Sequence, residues 1–253
     1  MKDSTASLHA FCEALELSRA LGVQLSAVSV APNYEGDLGL TPGAVNTAGR
    51  EPFQTVLKEA LGIARDQGLG LHTFLGAGRV DLSILDLARN GGFDLILLGR
   101  RKGWALPWSA AARVVGRSPC DVLVIPEKRP LRFDRILCCA TSAAAAPAQA
   151  RSIQLAGRCN GRLTILADVL YSPIGVNAVG DTDRPIAFER IDGPRLPLRR
   201  LSAAVRSGTI DTLVLGEDHF RPGRILKRST ALRLLNCRPN CPVWIVRKPA
   251  QAN

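Results

Sequence analysis

Phe93-Asp-Leu-Ile-Leu-Leu-Gly99 and Ile210-Asp-Thr-Leu-Val-Leu-Gly216 are two versions of one phrase. Each sets an aspartate before a short apolar run ending in Leu-Gly, and Asp94 and Asp211 lie 117 residues apart. Unbroken apolar runs of this length suit parallel strands buried on both faces. Downstream, Ser118-Pro-Cys-Asp-Val-Leu-Val-Ile125 matches Pro239-Asn-Cys-Pro-Val-Trp-Ile-Val246, with Cys120 and Cys241 separated by 121 residues. The four-residue difference falls in the loop between the two matches. Gly99 to Ser109 spans 10 residues, and Gly216 to Thr230 spans 14. Two copies of roughly 120 residues, each the size of a domain, account for both matches. The charged, proline-terminated Glu127-Lys-Arg-Pro130 divides them, giving copies over 1–128 and 131–248.

Each copy alternates helix and strand. In copy one, Leu8, Phe11, Cys12 and Leu15 follow helical spacing up to Gly22, and Val23 to Val30 reads as a strand. Phe53, Val56, Leu57, Ala60, Leu61 and Ala64 form a helical stripe with Pro52 at its start and Gly68 as its stop. Leu69 to Leu75 is a strand, and Asp81 is placed to cap a helix ending at Gly91. Copy two opens with a strand, Phe133 to Ala140, and a helix near Pro147 to Arg158. Leu163 to Ala167, Ile186 to Ile191, Leu213 to Leu215 and Val243 to Val246 supply its other strands. The long second helix of copy one is missing or reduced in copy two. Copy one lacks something different: its first helix begins almost at Met1, so the opening strand is missing. Either translation starts upstream or this sheet is one strand short.

Composition narrows the chemistry. The apolar fraction of 46% supports a packed core, and aromatics at 5% are too few for single-strand nucleic-acid stacking platforms. The longest apolar runs fall far short of the ~20 residues of a membrane span, and no basic-then-apolar leader opens the chain. Seven cysteines form no CxxC, and the only histidines are His9, His72 and His219, so zinc sites and histidine catalysis are not expected. GxSxG, P-loop, HExxH and paired catalytic carboxylates are absent. Cys138 and Cys139 read as core residues, whereas Cys237 and Cys241 flank a loop as candidate reactive thiols. A cytoplasmic, reduced protein is the expectation. The net charge of +11 sits in the second half: residues 1–130 carry 14 Lys and Arg against 13 Asp and Glu, residues 131–253 carry 19 against 9. That half is either a solvated basic face or the docking face for an anionic partner.

The end of each copy runs strand, Leu-Gly, loop, Ser/Thr-led helix, Pro-Cys or Asn-Cys, and a final apolar strand. This arrangement resembles the universal stress protein family, present as two tandem domains over nearly the whole chain. Asp3-Ser4 is similar to the family's Asp-Gly-Ser turn after its first strand. The resemblance implies an α/β fold: two tandem open, mostly parallel, five-stranded Rossmann-like sheets flanked by helices, the first with four strands if the opening one is absent. It also implies pairing through the last strands, as a homodimer or with a protein partner, and no membrane span.

ATP-binding members of the family share a Gly-x2-Gly-x9-Gly-Ser/Thr loop, in which glycines admit phosphate and a helix start attracts it. Here both loops are degenerate. In copy one Gly99 and Ser109 match the ends, Gly103 only approximates the second glycine, Trp108 replaces the last, and the loop is four residues short. In copy two Gly216 and Thr230 are correctly spaced, but His219 and Ser229 replace glycines, and Ala140-Thr141-Ser142 stands where an adenine-contacting aspartate belongs. The candidate ligand residues implied are Asp3, Gly99, Arg100, Gly103, Ser109, Gly216, Ser229 and Thr230. No cofactor is expected. The leading reading is a non-catalytic stress-response or regulatory protein; the alternative is an ATP or anion sensor at the Gly99–Ser109 loop, with slow hydrolysis at most.

Overall fold

The computed structural model describes residues 5–32, 49–101, 109–140, 144–168, 187–191, 198–217 and 229–247. Copy one contains α1 (Thr5–Leu21), β1 (Leu25–Ala31), α2 (Glu51–Asp66), β2 (Leu71–Ala77), α3 (Val80–Asn90), β3 (Leu95–Arg100), α4 (Ala110–Arg117) and β4 (Asp121–Pro126). Copy two contains β5 (Arg135–Ala140), α5 (Ala145–Cys159), β6 (Arg162–Asp168), β7 (Ala187–Ile191), α6 (Leu198–Ser207), β8 (Thr212–Glu217), α7 (Thr230–Asn236) and β9 (Val243–Arg247). The stop signals act as expected: Gly22 and Gly68 follow α1 and α2 with φ of 65° and 70°. Asp81 does not cap α3. Arg79 holds the cap position without a side-chain capping bond, and Asp81 is the helix's second residue, turned inward at 1% exposure.

Copy two is a complete open sheet in the order β7-β6-β5-β8-β9, all parallel. Copy one supplies β2-β1 and β3-β4 as two separate parallel pairs. The place that β5 takes between β6 and β8 is taken in copy one by no strand among the described residues.

The closing strands β4 and β9 pair with each other, antiparallel, with Leu123 opposite Trp244 at the centre. Leu123 and Trp244 are equivalent positions at the 121-residue shift, so the seam is a pseudo-twofold axis. The two expected sheets are thereby fused into a seven-stranded sheet, β3-β4-β9-β8-β5-β6-β7. An uncovered apolar closing strand would invite aggregation, and each of these covers the other.

Strand alternation then builds two cores that cross the seam. On one face Val122, Val124, Leu213, Leu215, Val243 and Ile245 pack with residues of α3, α4, α6 and α7. On the other, Leu123, Ile125, Cys138, Val214, Trp244 and Val246 pack with α1 and α5. The detached β1-β2 pair keeps a small core of its own, centred on Phe11, Leu15, Ala60 and Ala64. The linker is clamped to α1: Thr5 donates to Glu127, His9 Nε2 bonds the Arg129 carbonyl at 2.7 Å, and Glu13 accepts from the Leu131 amide at 2.7 Å.

Candidate functional site

Strands β3 and β8 each run into a loop followed by a serine-capped helix, the end of an open α/β sheet where ligands gather. Gly99, Arg100, Ser109, Gly216, Ser229 and Thr230 are described there; Asp3, Gly103, Trp108 and His219 lie outside the described residues, as do Arg195, Arg221, Arg224, Lys227 and Arg228, cations of the basic second half. Ser109 Oγ accepts from the Ala112 amide at 3.1 Å, and Ser229 Oγ accepts from the Leu232 amide at 3.1 Å. These two serines are therefore the equivalent caps. Thr230, paired with Ser109 by sequence spacing, is the first residue of α7.

Both Leu-Gly glycines are needed for packing. A Cβ on Gly99 would strike the carbonyl of Ala6 in α1, and one on Gly216 would come within 2.6 Å of the Ala144 carbonyl before α5. In each copy the start of the first helix crosses the strand so closely that only glycine fits.

The residues after these glycines diverge. Arg100 is 7% exposed and donates to the Pro239 carbonyl of copy two, with burial drawing its guanidinium pKa down. It ties the copies together instead of facing the Ser109 loop. The equivalent residue in copy two, Glu217, accepts from the Ala231 amide at 3.3 Å, while Arg247 approaches its carboxylate at 3.9 Å. A carboxylate of the chain itself thus accepts from an amide at the start of α7. Sequence reasoning passed over Glu217; its signal was an acidic residue directly after Leu-Gly in the basic half. Arg247 in turn donates to the Val115 carbonyl of copy one, a second arginine reaching across the seam.

Beside the copy-one cap, Arg113 grips Asp81 through Nε at 2.7 Å and a terminal nitrogen at 3.1 Å, and Arg79 adds a contact at 3.0 Å. Burial raises the Asp81 pKa, and the two guanidinium partners outweigh it, leaving the carboxyl below its ordinary value. Asp121 was also missed. Its carboxylate, 6% exposed, accepts from Trp244 Nε1 at 3.1 Å and the Arg247 amide at 2.9 Å across the seam. A cleft of about 640 Å³ opens there, lined by Asp94, Cys120, Asp121, Arg151 and Gln154 among others. The loop cysteine Cys241 is buried, and burial pushes its thiol up to about 12, which makes it unreactive at neutral pH. Among the described residues no group of three His, Cys, Asp or Glu is placed to hold a metal ion. No described helix is long and apolar enough to cross a membrane.

Comparison with known proteins agrees with this architecture. A universal stress protein from Archaeoglobus fulgidus superimposes with a TM-score of 0.77 at 17% identity, covering 98% of this chain and 96% of that one. A functionally unknown protein from Pseudomonas aeruginosa PAO1 aligns at a TM-score of 0.55 and 15% identity, over 92% and 95% of the two chains. A protein from the universal stress protein family of Burkholderia pseudomallei is 27% identical over 50% of this chain and 91% of its own, with a TM-score of 0.42. No curated protein sequence matches. Residues 1–126 match the model of the universal stress protein family, and with the repeat and the α/β architecture this places the chain in that family.

Proposed function

We propose that this stress-response protein is a non-catalytic regulatory module that works through protein contacts and does not depend on a bound nucleotide. The observation that carries the reading is the pair Arg100 and Glu217. At equivalent positions beside the two loops, one is committed to the Pro239 carbonyl and the other places its own negative charge on α7. Pairing through the last strands takes place inside the chain, so an outside partner would use other surfaces. The basic second half supports weak, salt-sensitive attraction of anions, screened within about 8 Å at 0.15 M salt.

Isothermal titration with ATP and magnesium, at low and raised salt, tests the reading. Weak binding that fades with salt is expected, together with no ATP hydrolysis above the buffer rate. A micromolar or tighter dissociation constant that survives raised salt would overturn it in favour of a nucleotide sensor at the Gly99–Ser109 loop. Glu217→Gln removes the internal anion and is expected to strengthen phosphate binding about two- to fivefold, the effect of one charge at a helix start.

A further inference from the structure

The helices on the two sides of the fused sheet differ in charge. On one side, α3, α4, α6 and α7 hold seven arginines, no lysine and two aspartates. Arginines already grip both aspartates: Arg113 and Arg79 hold Asp81, and Arg89 holds Asp86 at 2.9 Å. On the other side, α1, α2 and α5 hold five Lys and Arg against five Asp and Glu. The positive charge of the chain is therefore sorted by sheet face as well as by half.

The arginines of the first face are also related by symmetry. Arg117 ends α4 and Arg238 follows α7, each three residues before a cysteine, at the 121-residue shift that relates Cys120 to Cys241. Arg113 and Arg233 form a second pair, each the fourth residue after its capping serine. Helices α4 and α7 pack against each other, so the pseudo-twofold axis runs between the members of each pair. Arg117, Arg233 and Arg238 are exposed. Exposed Arg206 of α6 is joined to the Arg238 turn, its carbonyl accepting from the Asn240 side chain at 3.3 Å. Arg100 is buried against the Pro239 carbonyl of the same turn; burial draws its guanidinium pKa down, and the charge of Arg238 adds to the shift. Like charges held this close are relieved by an anion lying across them.

We propose that the α4–α7 face binds the phosphate backbone of a duplex nucleic acid, without regard to base sequence. Arginine in place of lysine favours phosphate, whose oxygens its planar fork meets two at a time. A duplex carries two phosphate rows related by twofold axes, as the arginine pairs are; an acidic peptide or a lipid surface offers no such match. Backbone contacts need neither a recognition helix in the groove nor the aromatic platforms that single strands use. The proposal goes beyond the protein contacts inferred above and stands whether or not a nucleotide binds at either loop.

The test is fluorescence anisotropy of the full chain with a fluorescein-labelled DNA duplex of about 20 base pairs and mixed sequence. Saturable binding at about 50 mM salt is expected, weakening about a hundredfold by about 200 mM, as roughly four neutralised phosphates require. Arg117→Gln combined with Arg238→Gln should reduce the log–log salt slope by about 2 and weaken binding about tenfold. Arg19→Gln combined with Arg65→Gln removes the same charge from exposed positions on the other face and should change affinity less than about twofold. A second duplex of unrelated sequence should bind equally, and a single strand of the same length more weakly. No saturable binding at low salt would overturn the proposal. So would equal losses in the two variant pairs, which would leave only net charge, or a single strand that binds as tightly as the duplex. Polyglutamate or phosphatidylserine vesicles binding more tightly than the duplex would also overturn it, by giving the face to an acidic protein or a membrane.

Discussion

Leu98 and Leu215 hold the same place in the two copies, two residues short of the strand end and just before the packing glycine. Leu215 is 1% exposed, and Leu98 is half-buried. Nothing in either residue's own strand explains the difference; it comes from the neighbours, since β8 has β5 on its second side and β3 has no second strand beside it among the described residues. The large apolar side chains left exposed among the described residues follow the same division. Leu8, Val23, Phe74, Val80 and Leu82 all belong to copy one. The same Leu-Gly pair therefore has a different energetic value according to the strands beside it.

The sharpest way to break this comparison is truncation of the paired leucines. Leu215→Ala is expected to cost about 3–4 kcal/mol of unfolding free energy, and Leu98→Ala about 1 kcal/mol, because less surface leaves water there. Urea unfolding of both variants measures the contrast; equal losses would mean that the edge of β3 is as enclosed as that of β8.

Next in size is the ion pair that copy one alone possesses. Arg113 and Arg233 are each the fourth residue after a capping serine, yet Arg233 is exposed and meets no acidic side chain among the described residues. Asp81→Asn should cost about 3 kcal/mol at pH 7, since it leaves the guanidinium without its carboxylate. Arg233→Gln should change stability by less than about 0.5 kcal/mol. The pH dependence has a definite sign. The folded Asp81 pKa lies below the unfolded value of about 3.9, so its stabilisation is present above that value and is lost as pH falls through the folded pKa. The stability difference between wild type and Asp81→Asn should therefore be flat from pH 5 to 7 and shrink below pH 4.

The packing glycines should behave alike in both copies. Gly99→Ala and Gly216→Ala each push a methyl group into helix backbone and are expected to cost about 2 kcal/mol, read as a fall in melting temperature. A tolerated Gly99→Ala would mean that α1 lifts freely from β3. Smallest is the loss of a cap: Ser109→Ala and Ser229→Ala should each cost about 1 kcal/mol, with matched urea midpoints if the two serines are equivalent.

Much of this architecture was legible because it repeats. The Asp-x3-Leu-Gly phrase marked the strands, and their apolar continuity placed them inside the sheet. Serine capping was readable to within one residue; the ambiguity between Ser229 and Thr230 arose because both side chains can cap, and only the bond to the Leu232 amide separates them. The roles of Asp81, Glu217 and Arg100 were not legible. Each depends on a partner distant in sequence: Arg113 is 32 residues from Asp81, and Pro239 is 139 residues from Arg100. Spacing patterns report a residue's own element, whereas these side chains report where two elements happen to meet. Asp94 and Asp211, which stand alike before their apolar runs, illustrate the same limit, since the arginine that clasps Asp211 belongs to a third strand.

The β4–β9 seam has an evolutionary corollary. In an assembly of identical chains, any change on one side of a twofold interface occurs on the other side as well. Here residues 127–134 tether the two sides, so the seam forms at a high effective concentration whatever the abundance of the protein. Each side can then drift separately. Leu123 faces Trp244, Asp121 holds the Trp244 indole while proline stands at its counterpart, Pro242, and the arginines that cross the axis come from different strands. Covalent linkage has released the halves from copying one another.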